Sequence, residues 1–364
     1  MKDGLVFALF GGSEAWAVLP PANYLYTSYA TPSPPAAAAF CVKYFGAMQL
    51  SPSAFVTQRS EAASARVSGV RFAYNGGTNY HDIYFADDPT KHVPAGEMNA
   101  TTFAEYLTKI HRFDIEETWD WWMDWHLCLL SDDVDVVLAR LLRDKVPVVT
   151  RSSYSFYVML PGGLTVQILG SKMRLAWSET FNFCRFTAFP PAVGPQNLSL
   201  ASLPNPMPHL PELPPGHHSF FSTRPNEALN ASLRLLGGTL YPMDNVWKES
   251  HRYSDGRCAL IAWLQLPSWQ MHFVQQYRKA EGERKVADVE AYFAKLHNET
   301  LDAPGATLTP DGFFDNRVGF RVTDLGPFVQ QLHAEGWPHK VINASSLFFA
   351  LPGGVLLELL IGTV

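Results

Sequence analysis

The chain has 364 residues, of which 47% are hydrophobic, 13% aromatic and 17% charged, and it carries a formal net charge of -6. A length of this kind calls for two domains, because single cores stop growing well below it. The acidic balance, with no run of Lys or Arg, excludes an electrostatic footprint for nucleic acid, and no apolar stretch is long enough to cross a bilayer.

The N-terminal stretch "MKDGLVFALFGGSEAWAVLPP" reads in two ways: as a signal peptide over residues 1–17 ending in the small-x-small pattern Ala15-Trp16-Ala17, or as a buried first strand. Asn-x-Ser/Thr sequons at Asn99, Asn197, Asn230, Asn298 and Asn343, and an even set of cysteines (Cys41, Cys128, Cys184, Cys258), fit a secreted glycoprotein. Buried thiols and chance sequons in a cytoplasmic protein fit them too, and both locations stay open.

Beyond the N-terminus, "NYLYTSYA" (23–30) reads as a strand and "PAAAAFCVKYFGA" (35–47) as a helix closed by Gly46. Two further strands follow, "ARVSGVRFAY" and "YHDIYFA", with Asn75-Gly76-Gly77 as the hairpin turn between them. A helix at "FAEYLTKIH" (103–111) connects to a second round: strand "WHLCLLSD", helix "DVDVVLARLLRDK", strands "VPVVTR" and "YSFYVML", a Pro-Gly-Gly turn, and strand "LTVQILG". The first half is therefore βαβββ written twice.

The second half repeats the first. Subtracting 161 from 352 for the two Leu-Pro-Gly-Gly turns gives 191, and the same offset carries Gly46 to Gly237, Asp133 to Asp324 and Pro147 to Pro338. Nine prolines between Pro190 and Pro215 mark an extended linker. The expected organisation is a first domain over 18–187, a linker over 188–215 and a second domain over 216–364, each half curling its own two modules around one core.

The runs "HLCLLSDDVDVVLARLLRDKVPV" with "YVMLPGGLTVQILG", and "VGFRVTDLGPFVQQLHAEGWP" with "FFALPGGVLLELLIG", resemble the vicinal oxygen chelate superfamily of glyoxalases, bleomycin-resistance proteins and extradiol dioxygenases. The resemblance implies an α+β fold of four βαβββ modules forming two cup-shaped sheet domains. It also implies four inward strand positions per cup that hold a divalent metal. Carried over by register, those positions are Tyr26, His81, His126 and Gln167 in the first half, and His217, Gln270, Arg317 and Glu358 in the second. His218 replaces His217 if that strand is shifted by one. Asp82 and Asp124 alternate away from the cup.

On this reading His81, His126 and Gln167 are ligands for Fe, Zn, Ni or Mn in the first cup, with Tyr26 completing the shell or acting in catalysis. His217 and Glu358 are the ligand candidates of the second. Arg317 cannot ligate a metal; it suits an ion pair with Glu358 or a grip on a substrate carboxylate, which favours a metal-free second cup. Gln270, and Trp122 and Trp125 from "WDWWMDW", are candidate substrate contacts, although large aromatics equally seal a join between modules. Three functions follow: a metal-assisted isomerase, lyase or dioxygenase acting on a small oxygenated molecule; a non-catalytic small-molecule binder with degenerate metal sites and no cofactor; or a structural role with filled cups. The partner expected is a small molecule, and oligomeric state is not legible.

Overall fold

The computed structural model describes residues 19–51, 67–87, 126–152, 155–170, 212–222, 225–240, 251–252, 258–259, 261–267, 269–275, 317–337, 339–352 and 355–362, with residues 102, 103, 105 and 210 standing alone. The candidate signal peptide, the connecting helix at 103–111 apart from residues 103 and 105, Trp122, Trp125 and most of the proline-rich linker lie outside the described residues.

Four βαβββ modules follow one another. The first contains β1 (Asn23–Thr31), α1 (Pro34–Phe45), β2 (Met48–Leu50), β3 (Val67–Tyr74) and β4 (Asn79–Asp87). The second contains β5 (His126–Ser131), α2 (Val134–Arg143), β6 (Val148–Ser152), β7 (Ser155–Met159) and β8 (Thr165–Gly170). The third has β9 (Pro215–Ser222), α3 (Pro225–Leu236), β10 (Thr239–Leu240), a small ribbon of β11 (His251–Arg252) and β12 (Cys258–Ala259), then β13 (Ile261–Gln265) and β14 (Gln270–Gln275). The fourth has β15 (Arg317–Val322), α4 (Gly326–Ala334), β16 (His339–Asn343), β17 (Ser346–Ala350) and β18 (Leu356–Ile361).

Local chemistry sets these boundaries. Helix α1 begins with proline in its first turn and ends at Gly46, whose φ of 68° is the left-handed conformation that closes a helix at little cost without a Cβ. Helix α2 is capped by Asp133, whose carboxylate accepts from the Val136 amide at 3.2 Å. The Leu-Pro-Gly-Gly turn places Gly162 and Gly163 at φ 88° and 97°, and Leu160 N–H donates to Leu164 O at 2.8 Å. The Leu351 N–H to Val355 O bond, also 2.8 Å, is the same turn in the second half.

The sheets correct the expectation that each half curls its own two modules. One eight-stranded sheet runs β16-β17-β18-β15-β1-β4-β3-β2, joining the first module to the fourth; the other runs β10-β13-β14-β9-β5-β8-β7-β6, joining the third to the second. The seams are antiparallel pairs of first strands, β1 with β15 and β5 with β9. Both arrangements bury the same strand faces, so hydrophobic alternation alone does not distinguish them. The chain exchanges modules between its halves as domain-swapped protomers do.

One face of each sheet and one side of all four helices share a single apolar core, which includes Phe45, Phe72, Phe85, Leu129, Phe156, Phe220, Met271, Phe320 and Leu359. Duplication is visible in its fastenings. Lys43 Nζ reaches Asp144 at 2.7 Å between α1 and the end of α2, and Arg234 reaches Glu335 at 3.1 Å between α3 and the end of α4. Taking 43 from 234 and 144 from 335 gives 191 in both cases. Thr27 Oγ1 lies 3.5 Å from His218 Nε2, and these two positions are themselves 191 apart. Equivalent residues touch only near the axis that relates the halves, so the pseudo-twofold axis passes through this contact.

At the β1–β15 seam the Tyr26 ring lies against Gly319, where an added Cβ would fall 2.2 Å from the ring. Gly319→Ala should therefore lower the unfolding free energy by about 1–3 kcal/mol, the usual size of an overpacking penalty, and with it the denaturation midpoint. An unchanged midpoint would show that the ring does not occupy this place.

Candidate functional site

The faces turned away from the shared core are the two cups, and their linings differ in chemistry. In the second sheet the first-strand positions are His126 on β5 and His217 on β9. Beside them on the last strands stand Gln167 of β8, which pairs with Cys128 of β5, and Gln270 of β14, which pairs with His217 of β9. His126 Nε2 and His217 Nε2 are 2.9 Å apart, with their rings inclined at 79°. Ser219 Oγ is 3.3 Å from His126 Nε2. Gln167 donates its amide hydrogen to Ser155 Oγ at 3.0 Å, which leaves its carbonyl oxygen as the acceptor.

Two residues of this cup were not singled out from sequence. His272 stacks on His217 at 3.9 Å between centroids, and Trp263 stacks on His272 at 3.8 Å, both pairs inclined at 21°. Burial first, then the neighbouring His126 and His218, hold the His272 imidazole well below its ordinary pKa, so it stays neutral. The signal was present in the alternation of "QMHFVQ", which returns His272 to the face of Gln270.

The cup of the first sheet is filled by an ionic cluster. Tyr26 donates its hydroxyl hydrogen to Glu358 Oε2, Arg317 Nε donates to the Tyr26 oxygen at 2.9 Å, and Arg317 Nε stands 3.4 Å from Glu358 Oε2. Ser346 donates to Glu358 Oε1 at 3.2 Å. Arg317 is 0% exposed. A fixed guanidinium already paired with Glu358 is not a donor set for a dication, so Glu358 as a metal ligand does not fit this arrangement. Asp82, expected to turn away, shares the face of Tyr84 and Tyr26 and forms a two-point ion pair with Arg71 at 2.6 and 2.7 Å.

His81 faces neither cup. The strand partner of Tyr26 is Asp82, whereas that of His217 is Gln270; the equivalent of Gln270 is therefore Asp82, and His81 lies one residue out of register. Its ring is fully buried between the sheets, where Nε2 is 2.7 Å from His218 Nε2 and Tyr24 stacks on it at 4.0 Å. His218 in turn meets the Tyr29 hydroxyl through Nδ1. A bulge between Tyr24 and Tyr26 sends Tyr24 to the core side while Tyr26 faces the cup. His81 and His126 thus lie on different sheets and do not share an ion. His217, not His218, is the cup residue of β9.

The His/Gln cup suits a divalent metal by two observations. Two ligands of one ion at right angles, each about 2.1 Å from it, stand about 3.0 Å apart, close to the separation of the two Nε2 atoms here. Imidazole nitrogen and amide oxygen are also acceptable donors for first-row metals. Among the described residues no cluster of three His, Cys, Asp or Glu converges on a point, so amide oxygens would have to complete the shell.

No family model and no curated protein matches the sequence. Solved structures do match in chain path. A glyoxalase I mutant from Zea mays is 9% identical, with 93% of this chain and 92% of that one covered and a TM-score of 0.46. A lactoylglutathione lyase from Agrobacterium tumefaciens is 17% identical over 42% of this chain and 97% of its own, at a TM-score of 0.25. A 2,3-dioxygenase from Pseudomonas sp. KL28 is 10% identical over 96% and 94%, also at 0.25. These scores fall below 0.5, and the fold assignment stands on the strand order and register above.

Burial, and next the proximity of His218, holds His81 well below the usual imidazole pKa. The unfolded chain takes up this proton near about pH 6.5, so the stability tied to neutral His81 is complete above that value and lost as pH falls through it. Denaturation midpoints should decline from about pH 7 towards pH 5, and His81→Leu should flatten part of that slope. The same slope in both proteins would contradict neutral burial.

Removing one partner of the Arg317–Glu358 pair strands the other in the interior. Glu358→Gln should cost about 3–5 kcal/mol, whereas Arg317→Met with Glu358→Leu should cost far less, as urea unfolding would show. Equal losses would mean that the cluster is not an ion pair. Strand order, register and module repetition together give this chain the tandem βαβββ, cup-shaped fold of the vicinal oxygen chelate type.

Proposed function

We propose that the cup formed by β5, β8, β9 and β14 holds a divalent metal through His126 and His217, with the Gln167 carbonyl oxygen as a further donor, and acts there on a small oxygenated molecule. The observation that carries this reading is the 2.9 Å approach of two imidazole nitrogens from rings nearly perpendicular to each other. Rings stacked face to face could not both aim in-plane lone pairs at one ion, and these two are not stacked.

A metal in this place supplies Lewis acidity, polarising the oxygens of a bound ligand. The chain's own residues bind and orient. Ser155 fixes the Gln167 amide so that its oxygen is the acceptor, and Ser219 stands beside His126 as a hydroxyl able to donate to a ligand oxygen. Tyr157 packs edge-on against His126, and Trp263 adds apolar wall, so water is restricted around the donors. Isomerase, lyase and dioxygenase chemistry are all within reach of this arrangement, and we assign the small-molecule partner to this cup rather than to that of Arg317 and Glu358.

Calorimetric titration of chelator-treated protein with Zn²⁺ tests the reading. Near one equivalent should bind, and His126→Ala or His217→Ala should each weaken binding by about tenfold or more, while His81→Ala leaves it unchanged. Binding that survives both cup substitutions would contradict the site.

A further inference from the structure

The cup contains a third imidazole whose role its hydrogen bonds define. The main-chain carbonyls of Leu266 and Trp269 can only accept, and both accept from Gln265 Nε2. Gln265 must then present its oxygen to Gln270, and Gln270 Nε2 donates to it at 2.9 Å. Gln270 in turn presents its oxygen to His272 Nε2 at 3.2 Å. An amide oxygen is only an acceptor, so His272 carries its proton on Nε2. Polarity runs in one direction from two backbone carbonyls to a single imidazole tautomer.

The other half of the arrangement is stacking. His272 lies between Trp263 and His217, with centroids 3.8 and 3.9 Å away, and the three rings form a column. The lone pairs of imidazole lie in the ring plane. Two rings stacked in this way cannot both point at an ion about 2.1 Å from each.

We propose that Trp263 and His272 form a clamp that holds the His217 ring with Nε2 turned to His126 by stacking alone, while the Gln270–Gln265 chain sets the His272 tautomer. His272 is thereby a positioning residue and not a ligand, and Gln270, expected as a substrate contact, has its amide oxygen engaged by His272 and its nitrogen by Gln265. Rotation of His217 about its side-chain bonds would separate the 2.9 Å nitrogen pair, and the column on its opposite face prevents that rotation. This inference rests on the metal-site reading for its chemical use, although the clamp is a property of the protein alone.

The experiment uses the full-length chain with Co²⁺ as probe, because its visible absorption reports ligand identity and geometry, and compares wild type with His272→Phe, His272→Ala and Trp263→Phe. Phenylalanine preserves the stacking face and removes the ring nitrogens. His272→Phe and Trp263→Phe should keep the wild-type spectrum and an affinity within about threefold, whereas His272→Ala should lose about 10–100-fold with an altered spectrum. Equal loss of the cobalt spectrum in His272→Phe and His272→Ala would make His272 a ligand and overturn the proposal; wild-type behaviour in His272→Ala would overturn it from the other side. If wild type takes up no Co²⁺, the metal reading fails and the clamp is read on the metal-free protein by nitrogen-15 shifts of the His126 and His217 rings. His272→Ala should then move both sets and His272→Phe neither, and shifts unmoved in His272→Ala would refute the clamp.

Discussion

The antiparallel pairing of first strands, β5 with β9 and β1 with β15, decides which side chains meet. It opposes His126 to Ser219 and Cys128 to His217, so the two imidazoles enter one cup, and it opposes Tyr26 to Gly319, so the phenol enters the other beside Arg317 and Glu358. Every chemical distinction between the cups follows from that choice of partners. Had each half closed on itself, Arg317 would have stood in the cup of His217 and no pair of imidazoles would have formed there.

The duplicated scaffold has reached two opposite solutions to the same electrostatic problem. Four strand positions crowd polar groups into a low-dielectric space, where an unpaired charge is costly. One cup answers with Tyr26, Arg317 and Glu358 bonded to one another and with Asp82 paired to Arg71, so each carboxylate there faces a guanidinium. The other has only imidazoles and amides at its four positions, with no fixed charge among them. Such a set tolerates burial without a counterion, yet it compensates none of the charge of a bound dication, so an anionic chelating ligand would strengthen metal binding and be strengthened by it in equal measure. Between the cups the Tyr29–His218–His81 contacts sit beside the pseudo-twofold axis and join the sheets, with both imidazoles held at lowered pKa by burial in the core.

Much of this was legible in the sequence. Period-two and helical patterns located β1, α1, β5, α2 and β8, and the recurring Leu-Pro-Gly-Gly turn located the ends of the second and fourth modules. His126, Gln167, His217 and Gln270 were all picked as inward positions by register, and the structure brings the four together. They had been divided between two cups because alternation records which face a strand buries and not which strand lies beside it. His81 is a single residue out: a register carried over from a resemblance has an error of that size, and one step reverses the face. His272 escapes that register, which takes one position per strand and stops at Gln270, whereas its ring joins the site two residues further along. The tryptophans at 122 and 125 lie outside the described residues.

The central claim is that the modules exchange partners so that His126 and His217 share one cup. Anomalous diffraction from crystals of the full chain soaked in Zn²⁺ tests it most directly, because it locates both the ion and the strands around it. The account predicts one strong peak between His126 Nε2 and His217 Nε2, none beside Arg317, and β5 paired with β9. A peak at His81, a peak within the Tyr26–Arg317–Glu358 cluster, or β5 paired with β1 would contradict it.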